Sequence, residues 1–134
     1  MSVKQVIVIR RYYPDGKGGV FSLRRGKECA QVAHASMMWM CERLMQYLGF
    51  KAIPMSNDEL EWLKGTFTKV TVQVDSEETL MEIYNKAVEE GLTVHLVIDS
   101  GKTEFGGIPT RTCCAIGPNQ SERIDKVTGH LKLY

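Results

Sequence analysis

Long apolar runs are missing from this chain. Its most apolar stretch, Val6 to Ile9, is far too short to span a bilayer, and the N-terminus lacks the extended apolar segment of a signal peptide. The expected setting is the cytoplasm, with no membrane partner. Cysteine is scarce as well. Cys29, Cys41, Cys113 and Cys114 include an adjacent pair and no Cys-x-x-Cys spacing, which argues against a disulfide framework and against a zinc site. Reduced, mostly buried thiols are expected. Three histidines, His34, His95 and His130, are too scattered to read as a metal set, and neither a metal nor another cofactor is expected. His95 falls in a strand, where a packed or hydrogen-bonded role is expected, and His130 in the tail, where a structural role is.

An excess of charge of one sign is also lacking, since the formal net charge is +1. The distribution is more telling. Acids concentrate in Asp58 to Glu61 and Asp75 to Glu90, whereas Arg10, Arg11, Arg24, Arg25 and Lys27 gather before and at a long helix. Lys102, Arg111, Lys126 and Lys132 could join them in a basic face for a polyanionic ligand; scattered solubilising charge is the alternative.

What is present fits one α/β domain over residues 1–134, long enough for a real core. Val3 to Ile9 reads as a central strand buried on both faces. Arg11 to Arg25, with Pro14-Asp15-Gly16 and Gly18-Gly19, reads as a mobile basic loop. A helix from about Lys27 to Leu48 follows, its methionines and leucines assigned to the core. Ser56 and Glu59 form a capping box for a short helix ending near Lys64. Thr66 to Val74 is a strand, Ser76 caps a helix closed by Gly91, and Thr93 to Ile98 is the next strand, so that Val70 to Ile98 reads as one βαβ unit. Arg111 to Gly117 is a fourth strand and Ser121 to Val127 a short helix. Trp39 and Trp62 are expected to pack their helices, and neither argues for base stacking.

Two stretches carry chemistry. In Gly26-Lys27-Glu28-Cys29-Ala30-Gln31-Val32-Ala33-His34, helical spacing sets Lys27, Gln31 and His34 along one stripe; the plain alternative is a solvated face. Asp99-Ser100-Gly101-Lys102-Thr103-Glu104, running on to Pro109-Thr110-Arg111-Thr112, begins where a strand ends, which is where α/β sheets bind ligands. There the plain alternative is an Asx-type turn at Asp99.

With Gly26-Lys27-x-x-Ala30-Gln31-x-x-His34-Ala35, Asp99-x-Gly101-Lys102-Thr103, Thr110-Arg111-Thr112 and the terminal Ile124-Asp125-Lys126-Val127-Thr128-Gly129-His130-Leu131-Lys132-Leu133 in order, the chain resembles the type 2 peptidyl-tRNA hydrolases over nearly its whole length. The resemblance implies a three-layer α/β/α sandwich around a mixed, mostly parallel sheet of about four strands, and a homodimer. It also implies hydrolysis of the ester joining a peptide to the terminal ribose of tRNA, by an activated water without a metal. The matching catalytic set is Lys27, His34, Asp99, Thr103 and Thr110. Arg24, Arg25, Gln31, Gly101, Lys102, Arg111 and Thr112 are expected to bind substrate. Ester hydrolysis needs an oriented water, a proton acceptor and donors for the oxyanion, and these residues offer each.

The chain departs from the family pattern at Lys102, where arginine is common, at Glu104, where glutamine is, and at Pro109, where the loop often contains glycine. Lysine loses the planar fork for phosphate, and glutamate adds a charge that phosphate opposes. The basic loop before Gly26 is also longer than usual, and Arg24 and Arg25 could compensate. A catalytically silent tRNA-binding or protein-interaction module on the same fold is the contrasting expectation; a hydrolase of misacylated aminoacyl-tRNA would prefer an unblocked amine.

Overall fold

Strand β1 (Val3–Arg10) is buried on both faces, and its alternating side chains feed two separate cores. This is seen in a computed structural model that describes residues 2–134, Met1 lying outside the description. Ile7 and Ile9 point to one side, where they meet Ala35 of α1 (Arg25–Gln46) together with Val97, Cys113 and Ala115. Val6 and Val8 point to the other, against Leu80, Ile83 and Ala87 of α3 (Glu77–Glu89) and Ile124 and Val127 of α4 (Ser121–Thr128). Period-two alternation thus builds three layers, and each fully buried Ile or Val contributes roughly 1.5–3 kcal/mol of transfer free energy.

Five strands form the sheet, one more than expected. They are β1, β4 (Lys69–Val74), β5 (Val94–Asp99), β6 (Thr110–Gln120) and the two-residue β7 (Lys132–Leu133), in the order β5-β6-β1-β4-β7. The expectation of a mostly parallel sheet is corrected: only β1 and β4 are parallel neighbours, and the other three pairings are antiparallel. β4 and β5 do run in the same direction, as the βαβ reading required, but they are not adjacent. Between them lie β1 and the eleven-residue β6, whose small apolar residues from Cys113 to Ile116 fit a position covered on both faces. Strand–helix–strand order specifies direction; it does not specify neighbours.

Three further expectations need correction. The segment before α1 is not a free loop, because β2 (Tyr13–Pro14) and β3 (Val20–Phe21) pair as a hairpin and the Asp15 carboxylate accepts the N–H groups of Lys17 and Gly19 at 2.7 and 3.0 Å. Tyr13, Phe21 and Leu23 then pack on Phe105, tying the hairpin to the loop after β5. Most of the methionine-rich face of α1 is not core: Met38 packs against the cluster around Ile7 and Ile9, but Met37 and Met45 are 60% and 68% exposed, and Leu44 and Leu48 are exposed as well. A helix of 22 residues is about 33 Å long and rests on the sheet along one stripe only, formed by Glu28, Gln31, Ala35 and Trp39. Finally, only Cys113 and Cys114 are buried; Cys29 and Cys41 are exposed.

Helix α2 (Asn57–Lys64) starts with the expected capping box, and Ser76 caps α3. Glu59 of that box also receives both terminal nitrogens of Arg43, at 2.9 and 2.8 Å, which tie α2 to α1. Burial alone would raise the Glu59 carboxyl; the hydrogen bonds from Arg43 and the Ser56 N–H hold it below the ordinary value. Trp39 and Trp62 pack edge to face at 6.1 Å, in the packing role expected of them. His95 pairs with Glu42 at 3.0 Å, and His130 is exposed in the turn before β7. Among the described residues no helix is long and apolar enough to cross a membrane.

Candidate active site

Asp99, the last residue of β5, is where the two chemically distinctive stretches meet. Its Oδ1 accepts hydrogen bonds from Lys27 Nζ at 2.8 Å and Gln31 Nε2 at 3.1 Å, and its Oδ2 accepts the Gly101 N–H at 2.8 Å. The turn expected at Asp99 is therefore made by Oδ2, while Oδ1 is left to face the polar stripe of α1. Gly101 has to be glycine here: its φ is +82°, and a Cβ would stand 2.2 Å from the Ile108 carbonyl oxygen.

Lys27 Nζ also reaches Thr103 Oγ1 at 3.1 Å, so a single ammonium bridges the carboxylate and a hydroxyl. Under Gln31, the buried Thr112 hydroxyl donates to Gln31 Oε1 at 2.5 Å and Cys113 Sγ donates to the Gln31 carbonyl at 3.3 Å. The amide is thereby oriented with its nitrogen toward Asp99, which makes Thr112 a support of the cluster. A solvated face is excluded for Gln31, which is 7% exposed, and Lys27 is largely covered. The Lys27 hydrogen bond, helped by those of Gly101 and Gln31, outweighs burial and holds the Asp99 carboxyl below its ordinary value. Asp99 is therefore a carboxylate at neutral pH.

The remaining expected residues make no hydrogen bond to this cluster. His34 lies one turn further along α1, exposed and without a hydrogen bond among the described residues. Thr110 is the cross-strand partner of Asp99, with its hydroxyl donated to the Ile108 carbonyl at 2.7 Å. Arg25, Lys102 and Arg111 are exposed, and Arg24 Nε pairs with Glu104 Oε1 at 2.6 Å. Arg10 and Arg11 do not join a basic face. The Arg10 guanidinium is buried over the Tyr13 ring, with Nε donated to the Tyr12 carbonyl, and Arg11 is turned toward Glu28.

Burial pushes the Cys113 thiol up to about 12 and the Cys114 thiol up as well, so neither supplies a thiolate nucleophile. No group of three or more His, Cys, Asp or Glu side chains among the described residues gathers as a metal set. Sequence reasoning missed Glu28, buried in the first turn of α1. Its signal was present in the spacing, since Glu28, Gln31 and Ala35 are offset by three and four and so share a stripe.

Residues 3–134 match the family described as peptidyl-tRNA hydrolase PTH2. The chain is 38% identical over 134 residues to the peptidyl-tRNA hydrolase of Nanoarchaeum equitans, covering 98% of this chain and 99% of that one. To the peptidyl-tRNA hydrolase of Methanocaldococcus jannaschii it is 40% identical over 131 residues, again 98% and 99% of the two chains. To that of Aeropyrum pernix it is 41% identical over 133 residues, or 98% and 95%. A match of this extent, on a chain that brings Lys27, Gln31, Asp99 and Thr103 together at one strand end, shows that it belongs to the peptidyl-tRNA hydrolase PTH2 family.

Proposed function

We propose that this single domain hydrolyses the ester bond between a peptide, or an N-blocked amino acid, and the terminal ribose of tRNA, freeing the tRNA for translation in the cytoplasm. The observation that carries this reading is the Lys27 ammonium, held between Asp99 and Thr103 at the end of β5. In the reaction a water oxygen bonds to the ester carbonyl carbon, the carbonyl oxygen gains negative charge, and the bond to the ribose oxygen then breaks. The ribose oxygen leaves with one of the water's protons, the peptide leaves as a carboxylate, and the second proton passes to solvent.

Lys27 stabilises the oxyanion, Thr103, which accepts from Lys27 and keeps its own proton, supplies a hydroxyl donor beside it, and Thr110 joins them on giving up its bond to the Ile108 carbonyl. Both Asp99 oxygens are engaged and its carboxyl is held ionised, so its part is to fix Lys27 and Gln31. That leaves the uncommitted His34 imidazole, one turn beyond Gln31 on α1, to position the water and take its proton. Arg24, Arg25, Lys102 and Arg111 are the exposed cations for the tRNA phosphates, with the positive N-terminal end of α1 among them.

The active species is a homodimer in this reading. The exposed apolar stripe of α1 (Met37, Leu44, Met45, Leu48) borders a largely apolar groove of about 870 Å³ lined by Met40, Trp62 and Phe67, a surface of the kind that a second copy covers.

The deciding experiment is release of N-acetyl-amino acid from N-acetyl-aminoacyl-tRNA, with chelator present and the unacetylated substrate alongside. Release from the blocked substrate alone establishes the activity. Release from neither, by folded protein, establishes a silent binding module. Sedimentation of wild type against Leu44→Glu tests the dimer.

A further inference from the structure

We propose that Glu28 is a positioning residue: with Arg11 and Tyr134 it fixes the rotation of the first turn of α1, and so holds its chain neighbour Lys27 against Asp99. The proposal rests on the activity proposed above. Glu28 is 4% exposed. Its Oε1 accepts the Tyr134 hydroxyl, and its Oε2 faces Arg11 Nε at 3.2 Å, an ion pair in which neither atom reaches hydrogen-bond alignment. The Arg11 guanidinium lies over the Tyr134 ring at 4.4 Å, and its NH1 donates to Gln73 Oε1 at 3.3 Å. Gln73 Nε2 in turn donates to the Leu133 carbonyl at 2.8 Å, and the Tyr134 N–H to the Thr71 carbonyl at 3.0 Å. Glu28 therefore joins α1 to the end of β1, to β4 and to the tail.

Docking the helix does not require this. A buried ion pair adds little net stability over apolar packing, and Ala35 and Trp39 already seat α1 on the sheet. What the acid adds is direction. Apolar packing tolerates small rotations of a helix about its axis, whereas a buried carboxylate that accepts the Tyr134 hydroxyl on one oxygen and meets the Arg11 charge with the other resists them. At the outer radius of a helix, roughly 5 Å, a 20° rotation carries a side chain through about 2 Å. A misplacement of about 1 Å at a reacting centre costs on the order of 10² in rate. Lys27 and Gln31, both bonded to Asp99 Oδ1, are the side chains that such a rotation would pull away.

The test is a double-mutant cycle on N-acetyl-aminoacyl-tRNA at steady state, using Glu28→Ala, Glu28→Gln, Tyr134→Phe, Lys27→Ala and the Glu28→Ala/Lys27→Ala pair, with amide exchange of the first hydrogen-bonded N–H groups of α1, from Glu28 onward, read in parallel. Glu28→Ala should lower kcat by about 10- to 100-fold with KM changed less than about twofold, and should cost nothing further when Lys27 is already alanine. Glu28→Gln, which keeps an acceptor for Tyr134, should recover most of that loss, and first-turn exchange should quicken in Glu28→Ala while α3 stays protected.

A Glu28→Ala kcat within about twofold of wild type, or the same fractional loss in the Lys27→Ala background, overturns the proposal. If Glu28→Ala does not fold, Tyr134→Phe takes its place: a smaller kcat loss that vanishes with Lys27→Ala supports it, and an unchanged kcat overturns it. Should the wild type release nothing, the proposed activity fails, and the exchange measurement decides by itself whether the clamp exists.

Discussion

Arg24 and Glu104 face each other at 2.6 Å, joining the residue that precedes α1 to the loop behind β5. The Arg24 side chain is 82% exposed, so the pair contributes little to stability, about 0–1 kcal/mol as is usual for surface pairs. It matters for binding. A carboxylate sits where a phosphate oxygen would bind Arg24, so Glu104→Gln should tighten tRNA binding and steepen its dependence on log salt by about one phosphate contact. Titration with deacylated tRNA between low and physiological salt checks this; an unchanged slope removes Arg24 from the list of phosphate contacts.

His34→Ala and Lys27→Ala should each lower turnover of N-acetyl-aminoacyl-tRNA by a factor on the order of 10² or more, the cost of a lost proton acceptor or oxyanion donor. Near-normal rates in His34→Ala would move the proton acceptor elsewhere. Arg111→Ala, which removes an exposed cation, should weaken tRNA binding and flatten its salt dependence, with kcat unaffected.

Acid should destabilise the protein through Asp99. Its carboxyl is held below the ordinary 3.8 by the Lys27 hydrogen bond, so the native state binds fewer protons than the unfolded chain across that range. The resulting stability is complete above the unfolded value and is lost as pH falls through the lower native one. Asp99→Asn removes this contribution, and urea midpoints measured below about pH 5 should fall less steeply with acid in that variant than in wild type.

Gly101→Ala should be costly out of proportion to one methyl group. The added carbon would collide with the Ile108 backbone at a positive φ, so the loop must open and Asp99 loses its anchoring N–H. A loss of about 2 kcal/mol or more in unfolding free energy is expected, with turnover reduced as well.

The sequence made the layers legible because they depend on local periodicity. Val3 to Ile9 alternates between two cores, Ser56 and Glu59 close a box three residues apart, and Asp99 follows directly on its strand. Strand adjacency was not legible, since β6 reaches its place between β5 and β1 through pairings far apart in the chain. In the site, the family resemblance set the Lys27 stripe and the Asp99 loop together, but the bonds of Lys27 and Gln31 to one Asp99 oxygen were not legible. Glu28 was hidden because an acid in a first helical turn reads as a favourable charge at the helix end, which is its commonest role. The exposed methionines of α1 misled for the opposite reason: apolar composition does not say which partner covers a face.

One stripe of α1 carries Glu28, Gln31, Ala35 and Trp39, so the polar half that forms the site and the apolar half that seats the helix belong to a single contact with the sheet. With Glu28 in place to hold the rotation of the first turn, the helix and the cluster are expected to come apart together. Loss of activity in denaturant should therefore coincide with the change in tryptophan fluorescence of the Trp39–Trp62 pair in the wild type, and should precede it in Glu28→Ala.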